Sequence, residues 1–259
     1  MTILFVFIVC LCASTIGGIC GIGGGVVIKP LLDATGIMSV STVSFLSGLT
    51  VLAMSLISVY KNRKTKELDA KRSIPLGLGA AAGGVLGKNL FEMIKQAAKA
   101  DQLVGMIQAI VLGLMVLGTL AYVRNKAHIR TKNVTKPFVA VAIGLLLGMC
   151  SSFLGIGGGP MNLAVLYYFF SMGTKQAAVN SLLIILISQT MSVGMSLVGG
   201  NVPAFEVPVL IAMVLAGALG GTISARLHRK LSAETTDKLF SALLVVILVI
   251  CCYNALKGL

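Results

Sequence analysis

GICGIGGGVVIKPLL at residues 18–32 and FLGIGGGPMNLAVL at residues 153–166 place the same pentapeptide, GIGGG, once in each half of a 259-residue chain. Four glycines in five residues make a poor helix, because glycine loses more backbone freedom on ordering than any other residue. In both places an apolar run leads into the pentapeptide and a shorter apolar run leads out of it. Each GIGGG therefore reads as a break inside an apolar hairpin. Its unpaired N–H and C=O groups have to be buried in protein or line a wet cavity.

The rest of the chain shows that the surrounding medium is lipid. Hydrophobic residues make up 57% of the sequence and charged residues 11%, with a mean hydropathy of +0.99. A soluble domain of this size needs a charged skin, which such a composition does not supply. Soluble enzyme, nucleic-acid binder and disordered scaffold are excluded on that ground. Apolar runs between charged breaks predict spans at residues 4–20, 40–60, 74–91, 103–123, 138–154, 177–198, 205–225 and 239–255. Each is about long enough to cross ~30 Å of hydrocarbon. The stretches 26–32 and 160–170, just behind the two breaks, are too short to cross alone and are expected as re-entrant half-helices. The fold class is all-α, a polytopic protein of the cytoplasmic membrane. Cys10, Cys12, Cys20, Cys150, Cys251 and Cys252 stand in apolar surroundings without His or carboxylate at metal-ligand spacing, and are read as small buried hydrophobes.

The formal charge of +13 reads as topology rather than as a nucleic-acid footprint, because 15 of the 21 Lys and Arg fall in three short connections. Residues 61–72 carry six basic against two acidic side chains, residues 124–136 carry five, and residues 226–238 carry four against two. All three are expected in the cytoplasm. The connection 199–208 has neither Lys nor Arg and belongs outside. Both termini are then expected outside. The first 20 residues read as a span rather than a signal peptide, since no basic segment precedes them and a similar element recurs in the second half.

The recurrence extends beyond the pentapeptide. GGVLGKN at residues 83–89 aligns with AGALGGT at 216–222, and Asp101 and Leu103 align with Asp237 and Leu239. Residues 1–123 are expected as a first repeat, 124–136 as a basic cytoplasmic linker and 137–259 as a second repeat, all within one transmembrane domain. Each repeat is a broken-helix or re-entrant hairpin followed by three transmembrane helices. The first begins outside and the second inside, so the repeats are inverted, as in secondary transporters whose site lies where the repeats meet. Both glycine turns are expected near the centre, facing each other. The glycines of residues 77–87 and 217–221 are read as close helix packing.

The doubled motif resembles the sulfite exporter TauE/SafE family of membrane permeases, over nearly the whole chain and in both halves. The glycine cluster followed by proline fits at Pro30. In the second half Pro160 follows the glycines directly and Ala164 takes the place equivalent to Pro30. The family's small-and-hydroxyl helix start is similar to AAVNS at residues 177–181, with Asn180 where threonine is usual, and looser at SFLS, residues 44–47. The resemblance implies movement of sulfite or a related sulfur oxyanion or sulfonate, mainly outward.

Such an ion offers several acceptor oxygens and must leave again, so donors without much net positive charge suit it. The N-terminal end of a half-helix supplies them as backbone amides at the positive end of the dipole. The candidate substrate-binding residues are therefore Gly21, Gly23, Gly24 and Gly25 in the first break and Gly155, Gly157, Gly158 and Gly159 in the second. Lys29, Ser47, Asn162, Asn180, Ser181 and Gln189 are the polar side chains that follow, with Ser44 and Thr50 as weaker counterparts. Lys29 reads equally as a residue snorkelling to the outer surface. Lys88 is read as a solvated helix end, and His128 and His228 as members of basic loops. No nucleotide motif, metal cluster or catalytic triad is present, so neither an enzyme nor a cofactor is expected. The expected partners are a small anion and the lipid bilayer; a homo-oligomer stays open. A non-transporting membrane scaffold is the competing reading, weakened by its having no need for two buried glycine breaks.

Overall fold

The computed structural model describes residues 2–98, 101–126, 129–154, 158–200 and 202–257. Among them the secondary structure is helical throughout: α1 (Thr2–Cys20), α2 (Gly25–Thr35), α3 (Val40–Asn62), α4 (Ala70–Ala98), α5 (Asp101–Asn125), α6 (Pro137–Leu154), α7 (Gly159–Phe170), α8 (Thr174–Val198), α9 (Val207–Lys230) and α10 (Ala233–Lys257). A helix stands at each of the eight expected spans, and a shorter one, α2 or α7, follows each glycine pentapeptide. α4 begins four residues earlier than the hydropathy suggests and runs well past it.

Helix ends follow local chemistry. Ser39 caps α3 by accepting from the Thr42 amide at 3.2 Å, and Ser232 does the same for Thr235 ahead of α10 at 3.1 Å. α2 ends on Gly36 in the left-handed region, and α9 opens with a proline in its first turn.

Thr2–Cys20, Val40–Asn62, Thr174–Val198, Val207–Lys230 and Ala233–Tyr253 are each long and apolar enough to cross a membrane, and Ile110–Asn125 and Pro137–Phe153 add shorter apolar stretches. α4 instead exchanges apolar bulk for glycine. Gly79, Gly83 and Gly87 of α4 face Gly144 and Gly148 of α6. A Cβ at any of the five would overlap a backbone carbonyl oxygen of the opposing helix. The two backbones lie in direct contact, which only small residues permit. Gly217 and Gly221 of α9 similarly press on the Thr50 and Met54 carbonyls of α3, and Gly220 sits on Ser14 of α1. The packing reading of both glycine runs describes these contacts.

The helix contacts between the halves α1–α5 and α6–α10 are symmetric under exchange of the two. α6 packs on α4 and α1 on α9; α8 packs on α4 and α3 on α9; α7 meets α5 and α2 meets α10. α3 with α8, and α5 with α10, pair each helix with its own counterpart in the other half. Cys12 and Cys252 depart from expectation: both are exposed on the outside of the bundle, whereas Cys10, Cys20 and Cys251 are buried. A cysteine is apolar enough to face lipid as readily as core.

Candidate site at the two glycine breaks

The first break turns the chain between α1 and α2. The amides of Ile22 and Gly23 both donate back to the Gly17 carbonyl, at 2.9 and 3.2 Å. The amides of Val27 and Ile28 donate to the Gly24 carbonyl, at 3.0 and 2.9 Å. Two of the break's donors are thus consumed in ending α1. Gly24, Gly25 and Val26 are left as the opening amides of α2, ahead of any carbonyl their own helix could offer.

Residues 21–30 are all buried. Gly21 has φ +78 and lies so close to α8 that a Cβ would overlap the Ala178 backbone; at Gly23 a Cβ would stand 3.3 Å from Ile185 and 3.5 Å from Val51. Gly24 differs from what its neighbours suggest. Its φ is −68, an ordinary helical value, so a left-handed backbone is not what demands glycine there. Its constraint is Ser14, whose Oγ would lie 3.0 Å from a Cβ.

Of the second break, Gly155 and Gly157 lie outside the described residues. Gly158 has φ +112, a conformation that L side chains rarely adopt, and it opens α7. Pro160 follows in the first turn and brings no N–H, which removes one backbone donor from this end. The Asn162 side chain curls back to the same place: its Nδ2 would be 2.6 Å from a Cβ on Gly158. Gly159 touches Val26, where a Cβ would run into the valine methyl. The opening turns of α2 and α7 therefore meet inside the protein; the second glycine turn itself, residues 155–157, lies outside the described residues. A small cavity lined by Leu112, Met115, Val116, Ser151, Gly158, Pro160 and Met161 adjoins the start of α7.

Three side chains around this meeting point keep polar atoms without a hydrogen-bond partner among the described residues: Ser14 Oγ, Asn162 Nδ2 and Ser181 Oγ. Ser14 and Ser181 are fully buried and Asn162 is 2% exposed. Ser181 lies on the α8 face that also carries Ala178 and Ile185, the residues touching Gly21 and Gly23. An unpaired buried polar group costs about 1–3 kcal/mol. Ser14 Oγ stands against Gly24 and Asn162 Nδ2 against Gly158, one at the opening of each half-helix, and Ser181 follows along α8. Ser47, the α3 counterpart of Ser181, is 3% exposed and donates only within its own helix, to the Ser44 carbonyl at 3.1 Å. Gln189 is half-buried, its Oε1 beside Gly48 of α3.

Two of the sequence candidates are engaged otherwise. Asn180, expected along the path, has no hydrogen-bonding capacity to spare. Its Oδ1 accepts from the Asp69 amide at 2.8 Å and from Ser73 Oγ at 2.7 Å, and its Nδ2 donates to the carbonyls of Glu67 at 2.8 Å and Gln176 at 2.7 Å. It stitches the α3–α4 connection onto α8. Lys29 does not snorkel: it is 7% exposed and pairs with Asp33, one turn along α2, at 3.3 Å. The i, i+4 spacing of the two was readable in the sequence. Lys88, expected to be solvated, donates to Ser196 of α8 at 3.0 Å. His228, expected in a basic loop, is 2% exposed. His128 lies outside the described residues. Ser14 was missed because a lone serine in an apolar helix carries no spacing signal. Among the described residues no group of three or more His, Cys, Asp or Glu could hold a metal ion.

Comparison with known proteins bears on this arrangement. The chain is 25% identical to the probable membrane transporter protein YunE of Bacillus subtilis (strain 168), over 95% of this chain and 96% of that one. Residues 6–250 match the family model described as sulfite exporter TauE/SafE. With a match of that extent and several long apolar helices, the chain belongs to the sulfite exporter TauE/SafE family and is a multi-pass membrane transporter.

Proposed function

We propose that the protein carries a small sulfur oxyanion, sulfite or a related sulfonate, outward across the cytoplasmic membrane, and holds it between the opening turns of α2 and α7. The observation that carries this reading is that two half-helix N-terminal ends meet at Val26 and Gly159, with Ser14 Oγ against Gly24 and Asn162 Nδ2 against Gly158, both buried and without a partner among the described residues. Backbone amides of Gly24, Gly25 and Val26 add donors at the positive end of the α2 dipole. A pyramidal or tetrahedral oxyanion accepts along several directions at once, which suits donors arriving from both halves.

In this reading α1–α5 and α6–α10 are inverted repeats, with α1 starting and α10 ending outside and the three basic connections in the cytoplasm. The exchange symmetry of the helix contacts supports it. An anion leaving a cell that is negative inside gains about 2.3 kcal/mol per charge per 100 mV, so export needs no coupling ion. The test is uptake of radiolabelled sulfite into proteoliposomes, with thiosulfate and a sulfonate as competitors. Saturable uptake blocked by at least one competitor is the expected result. Liposomes with and without the protein taking up all three ions alike would overturn the proposal.

A further inference from the structure

Both ring nitrogens of buried His228, in the last turn of α9, face oxygen atoms. Nδ1 is 3.1 Å from the Ile19 carbonyl, and Nε2 is 3.4 Å from Glu67 Oε2, an ion-pair distance without the alignment of a hydrogen bond. A carbonyl and a carboxylate only accept. A neutral imidazole has one N–H and serves one of them, whereas the imidazolium serves both. The Ile19 carbonyl also belongs to the last turn of α1, the negative end of that helix dipole, where a cation is favoured.

Of the other charged or titratable groups on the elements meeting here, Lys64, Lys66, Arg226 and Lys230 are exposed, Arg63 lies over the Tyr60 ring at 3.9 Å, and Asp69 pairs with Arg72 at 3.5 Å. Arg229 of α9 binds the Lys61 carbonyl and, at 3.4 Å, Asn62 Oδ1 of α3. Asp237 of α10 is held by Lys126 and Thr174. Cys20, next to Ile19, is 2% exposed, and α8 contributes the neutral Asn180.

His228 thus joins α9, the end of α1 just before the first glycine turn, and the connection 63–69. Asn180 ties that same connection to α8 through the Glu67 carbonyl and the Asp69 amide. The segment lies across the ends of α1, α8 and α9 on the side of the basic connections.

We propose that His228 is a proton-binding site, and that its proton clamps the connection 63–69 onto α1 and keeps that end of the first glycine turn shut. The proton exchanges with water on the basic side; its departure leaves a neutral ring that can serve Ile19 or Glu67 but not both. The link to substrate movement rests on the transport reading above, whereas the clamp is tested without substrate.

Cys20 is the reporter. Full-length protein in nanodiscs is treated with a maleimide at pH 5.5 and pH 8.5. Labelling of Cys20 is followed by mass spectrometry and normalised to a small thiol at the same pH. Normalised labelling at least about fivefold faster at pH 8.5 is expected, with the ratio falling to about one in His228→Gln. Glu67→Gln, a change in a half-buried residue that keeps the histidine, is expected to reduce the ratio at least twofold and serves if His228→Gln fails to fold. A wild-type ratio near one, or a wild-type ratio retained in either variant, overturns the proposal. Absence of sulfite flux with an intact labelling ratio would count against the transport reading alone.

Discussion

Asn162 and Asn180 are the same residue type, both buried in the second half, and the structure assigns them opposite responses to one substitution. Replacing Asn180 by leucine strands the Glu67 carbonyl, the Asp69 amide and the Ser73 hydroxyl. Ser73 is fully buried, while Glu67 and Asp69 are half-buried and can recruit water. At about 1–3 kcal/mol for a stranded buried group and less for one that water can reach, the loss is roughly 2–4 kcal/mol. That is a large share of a stability of about 5–15 kcal/mol. Asn162→Leu removes an Nδ2 that no group among the described residues accepts from, so stability should stay level or rise. In the proposed site it loses a donor to the ion. A hydrogen bond to a charged partner is worth about 1.5–3 kcal/mol, a rise of roughly 10- to 150-fold in half-saturation concentration. The assay pairs thermal unfolding of purified protein with sulfite uptake into proteoliposomes at equal protein density. Asn180→Leu should lower the unfolding temperature and the yield, and Asn162→Leu should keep both and raise the half-saturation concentration. If Asn162→Leu unfolds as early as Asn180→Leu, or transports with a half-saturation concentration within about twofold of wild type, the assignment of Asn162 to the ion is refuted.

The two ends of the first glycine turn should also separate. Gly21→Ala meets both a left-handed backbone and the Ala178 backbone, and should abolish stable expression, whereas Gly24→Ala keeps an ordinary helical backbone and presses on Ser14, hydroxyl at 3.0 Å and backbone at 3.1 Å, without overlap, and should still express with sulfite uptake lost. Lys29→Met leaves Asp33 uncompensated and should cost about 3–5 kcal/mol in thermal stability. Lys29→Met with Asp33→Asn should recover most of that loss, and a double variant no more stable than the single would show that the pair carries no such energy. Single cysteines at Lys64, Asn133 and Ser232, all exposed, should be inaccessible to an impermeant reagent outside intact cells and labelled in inside-out vesicles; ready labelling from outside would reverse the topology. Asn62 is unsuitable as a probe because it is 2% exposed.

The fold was legible because membrane helices are written in long apolar runs whose ends are charged or glycine-rich, and lipid leaves the backbone few alternatives. The two breaks were legible for the same reason: GIGGG cannot be an unremarked piece of helix. Side-chain roles were less readable. Asn180 and Asn162 look alike in sequence, and only the long-range partners of Asn180, in a connection more than a hundred residues away, tell them apart. Ser14 gains its meaning from Gly24, ten residues on, through the doubling back of the chain. His228 sits in a run of basic residues that reads as topology, yet α9 carries it beyond the point where the charges suggest solvent begins. Gly24 shows the reverse limit. A glycine cluster suggests left-handed backbone throughout, whereas the structure uses that freedom at Gly21 and Gly23 and spends Gly24 on close approach to α1.

The pairing of Lys29 with Asp33 bears on how such a site could release its ion. With the lysine neutralised one turn along α2, the opening turns of α2 and α7 offer dipoles and neutral donors and no net charge. An oxyanion clasped by an unpaired cation in a low-dielectric interior would be held far more strongly than in water, and would leave slowly. Donors that are individually worth about 0.5–1.5 kcal/mol to a neutral partner, and about twice that to a charged one, give a grip that four or five together make specific without making it permanent. The membrane potential favours outward movement by about 2.3 kcal/mol per charge per 100 mV, roughly a fiftyfold concentration ratio for a singly charged ion. An exporter working with that gradient gains little from a tight site. The proposed site of polarised amides and neutral side-chain donors, with Lys29 already paired to Asp33, is the arrangement that this energetic situation favours.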